Sequence, residues 1–460
     1  FNFKEVSKDL QTNYKENPKY LVKKYFLPYR LVRQQSTELK DLKKDIHEYR
    51  NQEEQINQYR KFLQQVSMPE LELEFKKSGK NFSTKTVKEI DLKFNNLILK
   101  KYELMNGFYA GIKYITPGSG YIEFYDKKLI VISKTGLMGY GNFVVKNTQI
   151  TFIQIENNID NFIGLTQFNK ERWFSIKDIE IINKKVFVSY TDEMKENCWR
   201  TSLLMGDFNY KKINFEKIWS PKNCIVAQAN DWRIHDGDFN AHQSGGRIIN
   251  FNDEEILLSI GDYRTRFLAQ DFTSVYGSIT KINIKDKSHE IIAKGLRNSQ
   301  GLLYDKKKKF LLISDHGPQG GDEINMLDLN NMSDIPNYGW AVASYGEHYG
   351  GKVEHNKHRY QKYPLLKSHS ENDFIEPLKY FVPSIGISEI EQINDNFYVL
   401  SSLGANYIYF FEIQNSQINN MSRVQIGERI RDIVYEDNKL YLFLESSSSI
   451  GVIDLKNKFN

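Results

Sequence analysis

The hydrophobic pattern along this chain changes character twice. After Ser36 or Thr37, either of which can cap a helix, apolar residues recur at heptad-like spacing as Leu39, Leu42, Ile46, Tyr49, Ile56 and Leu63. Glu53 and Arg60 interrupt the seam and Pro69 ends it. The spacing predicts one long amphipathic helix over 36–66, preceded by a shorter one around 20–30. Residues 1–70 contain no glycine and form the expected helical N-terminal extension. The broken seam suits a helix packed on its own neighbouring domain. The competing reading is a coiled coil or arm that docks a protein partner or a second copy, which would favour cleaner heptads.

Residues 71–117 mix short alternating stretches, among them Glu72-Leu73-Glu74-Phe75 and Ile90 to Phe94, and read as a small β-rich linker region.

Over 118–457 a different pattern recurs. A turn of Asp, Asn and Lys leads into four or five apolar residues, usually closed by Ser. The copies are Asp126–Ser133, Asn183–Ser189, Asn252–Ser259, Asp305–Ser314, Asn394–Ser401 and Asp437–Leu444. In most copies an apolar strand precedes the turn, as in Tyr121–Tyr125, Ile179–Ile182 and Ile433–Tyr435. Each copy is a hairpin whose second strand is apolar throughout, the mark of a strand buried on both faces. A blade of four strands takes about 40–50 residues, so the spacing leaves room for loops. Six copies predict an all-β fold, a six-bladed β-propeller. A sandwich would not repeat one hairpin six times, and a solenoid would keep a tighter period.

Composition agrees with this. Aromatic residues make up 13% of the 460, which suits strands. The 63 basic and 58 acidic residues are interleaved, and no basic run is long enough to argue for nucleic acid. No apolar stretch reaches the ~18 residues of a spanning helix. The sequence begins at Phe1, so a signal peptide or a membrane anchor upstream is an expectation, with a periplasmic or extracellular location. Cys198 and Cys224 are compatible with one disulfide in an oxidising compartment and equally with two separate buried thiols.

Several short motifs carry chemistry. Arg297-Asn298-Ser299-Gln300-Gly301-Leu302 leads into the fourth hairpin. Asp315-His316-Gly317-Pro318 and Asp322-Glu323-Ile324-Asn325 follow it, then Asn337-Tyr338-Gly339-Trp340. Upstream stand His242-Gln243-Ser244-Gly245-Gly246-Arg247 and Ile260-Gly261-Asp262, and near the end Arg429-Ile430-Arg431-Asp432. Taken singly, these are a loop histidine, a glycine-proline turn and an arginine pair on one side of a strand. In this order they resemble the soluble quinoprotein sugar dehydrogenases, the glucose/sorbosone dehydrogenase family. The resemblance covers roughly 118–457.

It implies a site for pyrroloquinoline quinone (PQQ), a flat ortho-quinone with three carboxylates, and for Ca2+. Guanidinium groups match carboxylates bidentately, so Arg297, Arg429 and Arg431 are the cofactor-binding candidates, with Asn298 as a neutral donor. Calcium takes hard oxygens, including backbone carbonyls. The family match assigns that role to Gly317 and Pro318, and a second, structural calcium site to residues matching Asp322, Glu323 and Tyr338. His242 matches the base that takes a sugar hydroxyl proton while hydride leaves for the quinone, with Asp262 positioning groups nearby. The implied function is oxidation of an aldose or related polyol, with electrons passed to a separate acceptor. The chain departs from the family in two places. Ser401–Tyr407 lacks the fifth-blade cation, and Trp173–Asp178 lacks an early-blade glutamine. These departures keep a second reading open, a degenerate propeller that serves as a binding or assembly module through its helical arm.

Overall fold

The computed structural model describes residues 70–104, 108, 119–143, 149–170, 175–227, 241–332 and 334–456. The helices expected at 20–30 and 36–66 lie outside them.

The recurring turns fold as the sequence pattern requires. Asp126 and Lys127, Asn183 and Lys184, and Asp437 and Asn438 all have positive φ. They form two-residue hairpin loops joining Tyr125 to Lys128, Ile182 to Lys185 and Glu436 to Lys439. Asn and Asp tolerate this left-handed backbone, and it matches the twist of the flanking strands. The second strands are buried almost end to end, for example Lys128–Ser133, Glu255–Ile260 and Lys439–Leu444.

Among the described residues the strands form three four-stranded antiparallel sheets, one sheet of five strands, one pair of two, and one sheet of nine strands in which two groups of four are joined through Phe82–Asp91. The first strands of the four- and five-stranded groups are Gly120–Tyr125, Ile176–Ile182, Gly245–Asn250, Ser299–Asp305, Ile387–Gln392 and Ile430–Glu436. Each packs against the next, and the last packs against the first, so these strands close a ring. This is a β-propeller. We number the sheets one to six in that order. Apolar clusters fill the spaces between neighbouring sheets, such as Leu257, Ile279, Leu302, Leu311 and Ile313 between the third and fourth.

Three of the closing serines of the repeat share a role. Ser189 donates to the Gly246 carbonyl, Ser259 to Ser299 at 2.9 Å, and Ser314 to Ser388. Each hydroxyl thus bridges from one sheet to the first strand of the next.

The described residues within 71–117 contribute to the sheets themselves. Glu72 to Phe75 alternate in sequence, yet residues 70–77 form a helix, because Leu73 and Lys76 are buried on one side and Leu71 and Glu74 face solvent. The hairpin Phe82–Asp91 and Ile98–Leu104 follows. Its second strand pairs with Ser449–Asp454 as the outer strand of sheet six, and its first reaches Thr151–Gln154 of sheet one. Within sheet two, Cys198 and Cys224 form a disulfide.

Candidate active site

A cavity of about 410 Å³ opens at one end of the ring. Its walls come from the starts of first strands (Arg297, Asn298, Arg429, Arg431) and the ends of second strands (Lys134, His316, Glu445). His242, from the loop before sheet three, is exposed at this wall. Five motif residues, dispersed over nearly 190 positions of sequence, therefore share one cavity: His242, Arg297, Asn298, Arg429 and Arg431.

The corner bearing Arg297 and Asn298 is held by Asp315. Its carboxylate accepts from the amides of Arg297 at 2.9 Å and Asn298 at 2.8 Å, and from the Ser299 hydroxyl at 2.9 Å. Asn298 Oδ1 accepts from the Gly245 amide at 3.1 Å and so ties this corner to the His242 segment. That segment turns through Gly246 (φ +118), where a Cβ would lie 2.3 Å from the Lys177 side chain, so glycine is required. Arg297 is buried. Its Nη1 donates to the carbonyls of His316 at 2.5 Å and Gly317 at 2.6 Å, and its guanidinium lies 5.5 Å from the Trp340 ring centre.

Asp262 lies behind the cavity wall, fully buried. It accepts from Trp340 Nε1 at 2.7 Å and from the Arg264 amide at 2.8 Å. With its amide turned to satisfy both ends, Gln243 donates to Asp262 at 2.9 Å and accepts from Arg297 Nη2 at 2.8 Å. Burial raises the Asp262 pKa, against the pull of Arg297 and Arg266. Asp262 thus anchors the wall around His242 and Arg297.

Arg429 and Arg431 converge on Glu445. Arg431 Nη2 donates to both its oxygens, at 2.9 and 3.1 Å, and Arg429 Nε reaches one at 3.3 Å. Lys134 Nζ stands 3.7 Å from the same carboxylate, and burial lowers the lysine to about 8. Among the described lining residues five are cationic, and Glu445 is the one carboxylate. Among the described residues, buried Arg297 Nε and Arg431 Nε have no hydrogen-bond partner.

The metal candidates are more dispersed in role. The Gly317 carbonyl faces the Arg297 guanidinium, as described, and Pro318 packs close to Gly346. Asp322 is buried and its oxygens are engaged. Oδ1 takes His316 Nδ1 at 2.9 Å, the Gly317 amide at 3.0 Å and Ser384 Oγ, and Oδ2 takes the Ile387 amide at 2.9 Å. Burial alone would raise this carboxyl, but His316 and the hydrogen bonds outweigh it and hold it below the usual range. Glu323 is buried beside Asn325, and desolvation, reinforced by Asp315, pushes it well up. The Tyr338 hydroxyl donates to the Met326 carbonyl at 2.8 Å. Among the described residues no group of three or more His, Cys, Asp or Glu side chains is arranged to hold a metal ion.

Sequence reasoning passed over Lys134 and Glu445, and gave no role to His316 although it stands in one of the motifs. It also passed over the role of Arg247, which fills the ring axis below the cavity. Its guanidinium meets Asp178 at 2.7 Å, Asp432 at 2.8 Å, and Glu389, which ties sheets two, three, five and six together. A buried cation facing three buried acids was detectable as charges inside first strands, but only once the ring was known to close.

Residues 181–452 match the family model described as glucose/sorbosone dehydrogenase, and the chain belongs to that family. It is similar to an aldose sugar dehydrogenase of Escherichia coli, 25% identical over 227 residues, covering 44% of this chain and 57% of that protein. The chain spans about half the length of the curated relatives it matches. A glucose dehydrogenase crystal structure shares the fold with a TM-score of 0.58 at 17% identity, over 75% of this chain and 97% of that one. The PQQ-bound aldose sugar dehydrogenase of Streptomyces coelicolor shares it with a TM-score of 0.53 at 15% identity, over 82% and 98%.

Proposed function

We propose that this protein is a PQQ-dependent oxidoreductase acting on an aldose or related sugar or polyol. The observation that carries the reading is the cavity's charge. Five cations against one carboxylate among the described lining residues suit a ligand bearing several carboxylates. Arg297, Arg429, Arg431 and Asn298 would hold it. When bound, PQQ supplies the two-electron acceptor for the sugar.

His242 is the base that takes the proton from the sugar hydroxyl. His242 is exposed at the cavity wall, where a sugar hydroxyl can reach it. Asp262 acts through Gln243 and Arg297, fixing the wall rather than touching substrate.

A calcium ion belongs to the same proposal. The carbonyls of His316 and Gly317 converge on one guanidinium nitrogen, so this turn already presents oxygens to positive charge. Calcium on the Gly317 and Pro318 carbonyls would replace Arg297 as the cation on Gly317. A periplasmic or extracellular location is supported by the Cys198–Cys224 disulfide. The electron acceptor is a separate molecule.

The test is reconstitution with PQQ and Ca2+ followed by addition of a panel of aldoses. The reading expects the cofactor's absorbance to bleach with at least one sugar in the wild type and not in His242→Ala. Uptake of cofactor with no bleaching by any aldose or polyol would overturn the sugar assignment.

A further inference from the structure

Sheet one departs from the serine bridges of sheets two, three and four. Ser133 closes its second strand, but its hydroxyl turns to Glu72, in the helix over 70–77, and not to the next sheet. Thr135 donates to the same Glu72 oxygen. Glu72 is fully buried, and among the described residues its other oxygen, Oε2, has no hydrogen-bond partner. Between the two hydroxyl residues stands Lys134, which lines the cavity.

The turn is pinned from several directions. Ser133 Oγ accepts from the Leu137 amide at 3.0 Å, the Lys134 amide donates to Ser119 at 2.9 Å, and the Lys134 carbonyl accepts from Ile176 at 3.1 Å. The helix that carries Glu72 is itself docked. Leu73 joins the apolar cluster of Ile130 and Ile132, Lys76 pairs with Asp160, and Gln154 donates to the Lys76 carbonyl at 2.5 Å. A carboxyl group buried this deeply needs partners, and its hydrogen-bond partners among the described residues, Ser133 and Thr135, flank Lys134.

We propose that Glu72 is a positioning residue for the cavity: by gripping Ser133 and Thr135 it holds Lys134 in the wall as an anion-binding side chain. The segment ahead of the propeller strands thereby shapes the site. The anion in question is a cofactor carboxylate, and that part rests on the function proposed above; the grip itself does not.

Two measurements on the full chain separate these parts. The first is acetylation of lysines in the absence of cofactor, read residue by residue by mass spectrometry. Glu72→Ala should raise labelling of Lys134 about tenfold, as expected when a local tether is lost, while exposed Lys211 is unchanged. Glu72→Gln keeps the acceptor oxygen and should stay near wild type. Ser133→Ala combined with Thr135→Val removes the grip from the other side and should reproduce Glu72→Ala, which guards against a folding defect in that one variant. Unchanged Lys134 labelling in both disrupting variants overturns the proposal.

The second is equilibrium binding of PQQ. Lys134→Met should weaken it about tenfold, the size of one charge-assisted hydrogen bond. Glu72→Ala should weaken it similarly alone, and not further in the Lys134→Met background. Additive losses would show that Glu72 acts independently of Lys134, and undiminished binding by Lys134→Met would remove the lysine's role. If the wild type takes up no PQQ, the proposed function fails, and the labelling still decides the grip.

Discussion

Arg431 places one guanidinium nitrogen against both oxygens of Glu445, at 2.9 and 3.1 Å, in the wall of a cavity otherwise rich in cations. The pair joins the first strand of sheet six to the end of its second strand, with Glu445 buried and Arg431 half-buried. Removing Glu445 leaves Arg431, Arg429 and Lys134 facing one another without their shared anion, whereas removing Arg431 leaves Glu445 its other two cations. Glu445→Gln should therefore lower the unfolding free energy by about 3 kcal/mol and Arg431→Met by less, and the two together should recover part of the Glu445→Gln loss. Thermal or urea unfolding of the four proteins checks this.

A larger stability effect is expected at the ring axis. Arg247 is the shared partner of Asp178, Asp432 and Glu389, contributed by three other sheets. Arg247→Met leaves three buried acids facing one another and should cost about 3–5 kcal/mol. Urea unfolding gives the value. A change below about 1 kcal/mol would mean that the acids already hold enough protons to dispense with the arginine.

The acids further along the axis give stability a pH dependence of defined sign. Burial pushes Glu180 up to about 7 and Glu391 up to about 8. Both native values lie above the ordinary carboxyl range, so the native state retains protons that the unfolded chain releases. Stability should then fall as pH rises from about 5 to 8. Denaturation midpoints at the two ends of that window test it, and Glu391→Gln should flatten the slope.

At the catalytic wall the expected signature is a separation of binding from turnover. His242→Ala should take up cofactor with wild-type affinity and lose at least about 10²-fold in turnover, the contribution of a positioned base. Stopped-flow bleaching of the reconstituted enzyme by an aldose measures it.

The second strands of the sheets were legible because burial on both faces leaves an uninterrupted apolar run, and three of the six turns because Asn, Asp and Lys at positive φ punctuate them. His242, Arg297, Asn298, Arg429 and Arg431 were legible through their ordered motifs. Lys134, His316 and Glu445 were not. Each is a single polar residue just past an apolar strand, and which strand ends converge is decided by ring closure, not by local pattern. The helix over 70–77 was hidden for another reason. Its four alternating residues fit a strand template, and only the packing of Leu73 and Lys76 on one side reveals the helical period. Asp322 and Tyr338 carry residue types suited to a metal, but their polar atoms are committed to His316, Ser384 and Met326.

The most direct test is an equilibrium titration of the purified protein with PQQ in the presence of Ca2+, for the wild type and for Arg297→Met and Arg431→Met. One equivalent bound per chain, with affinity falling at least about tenfold in each variant, is the predicted result. Saturable uptake that neither substitution weakens would place the quinone somewhere other than this ring of guanidinium groups, and no uptake by the wild type would contradict the cofactor assignment outright.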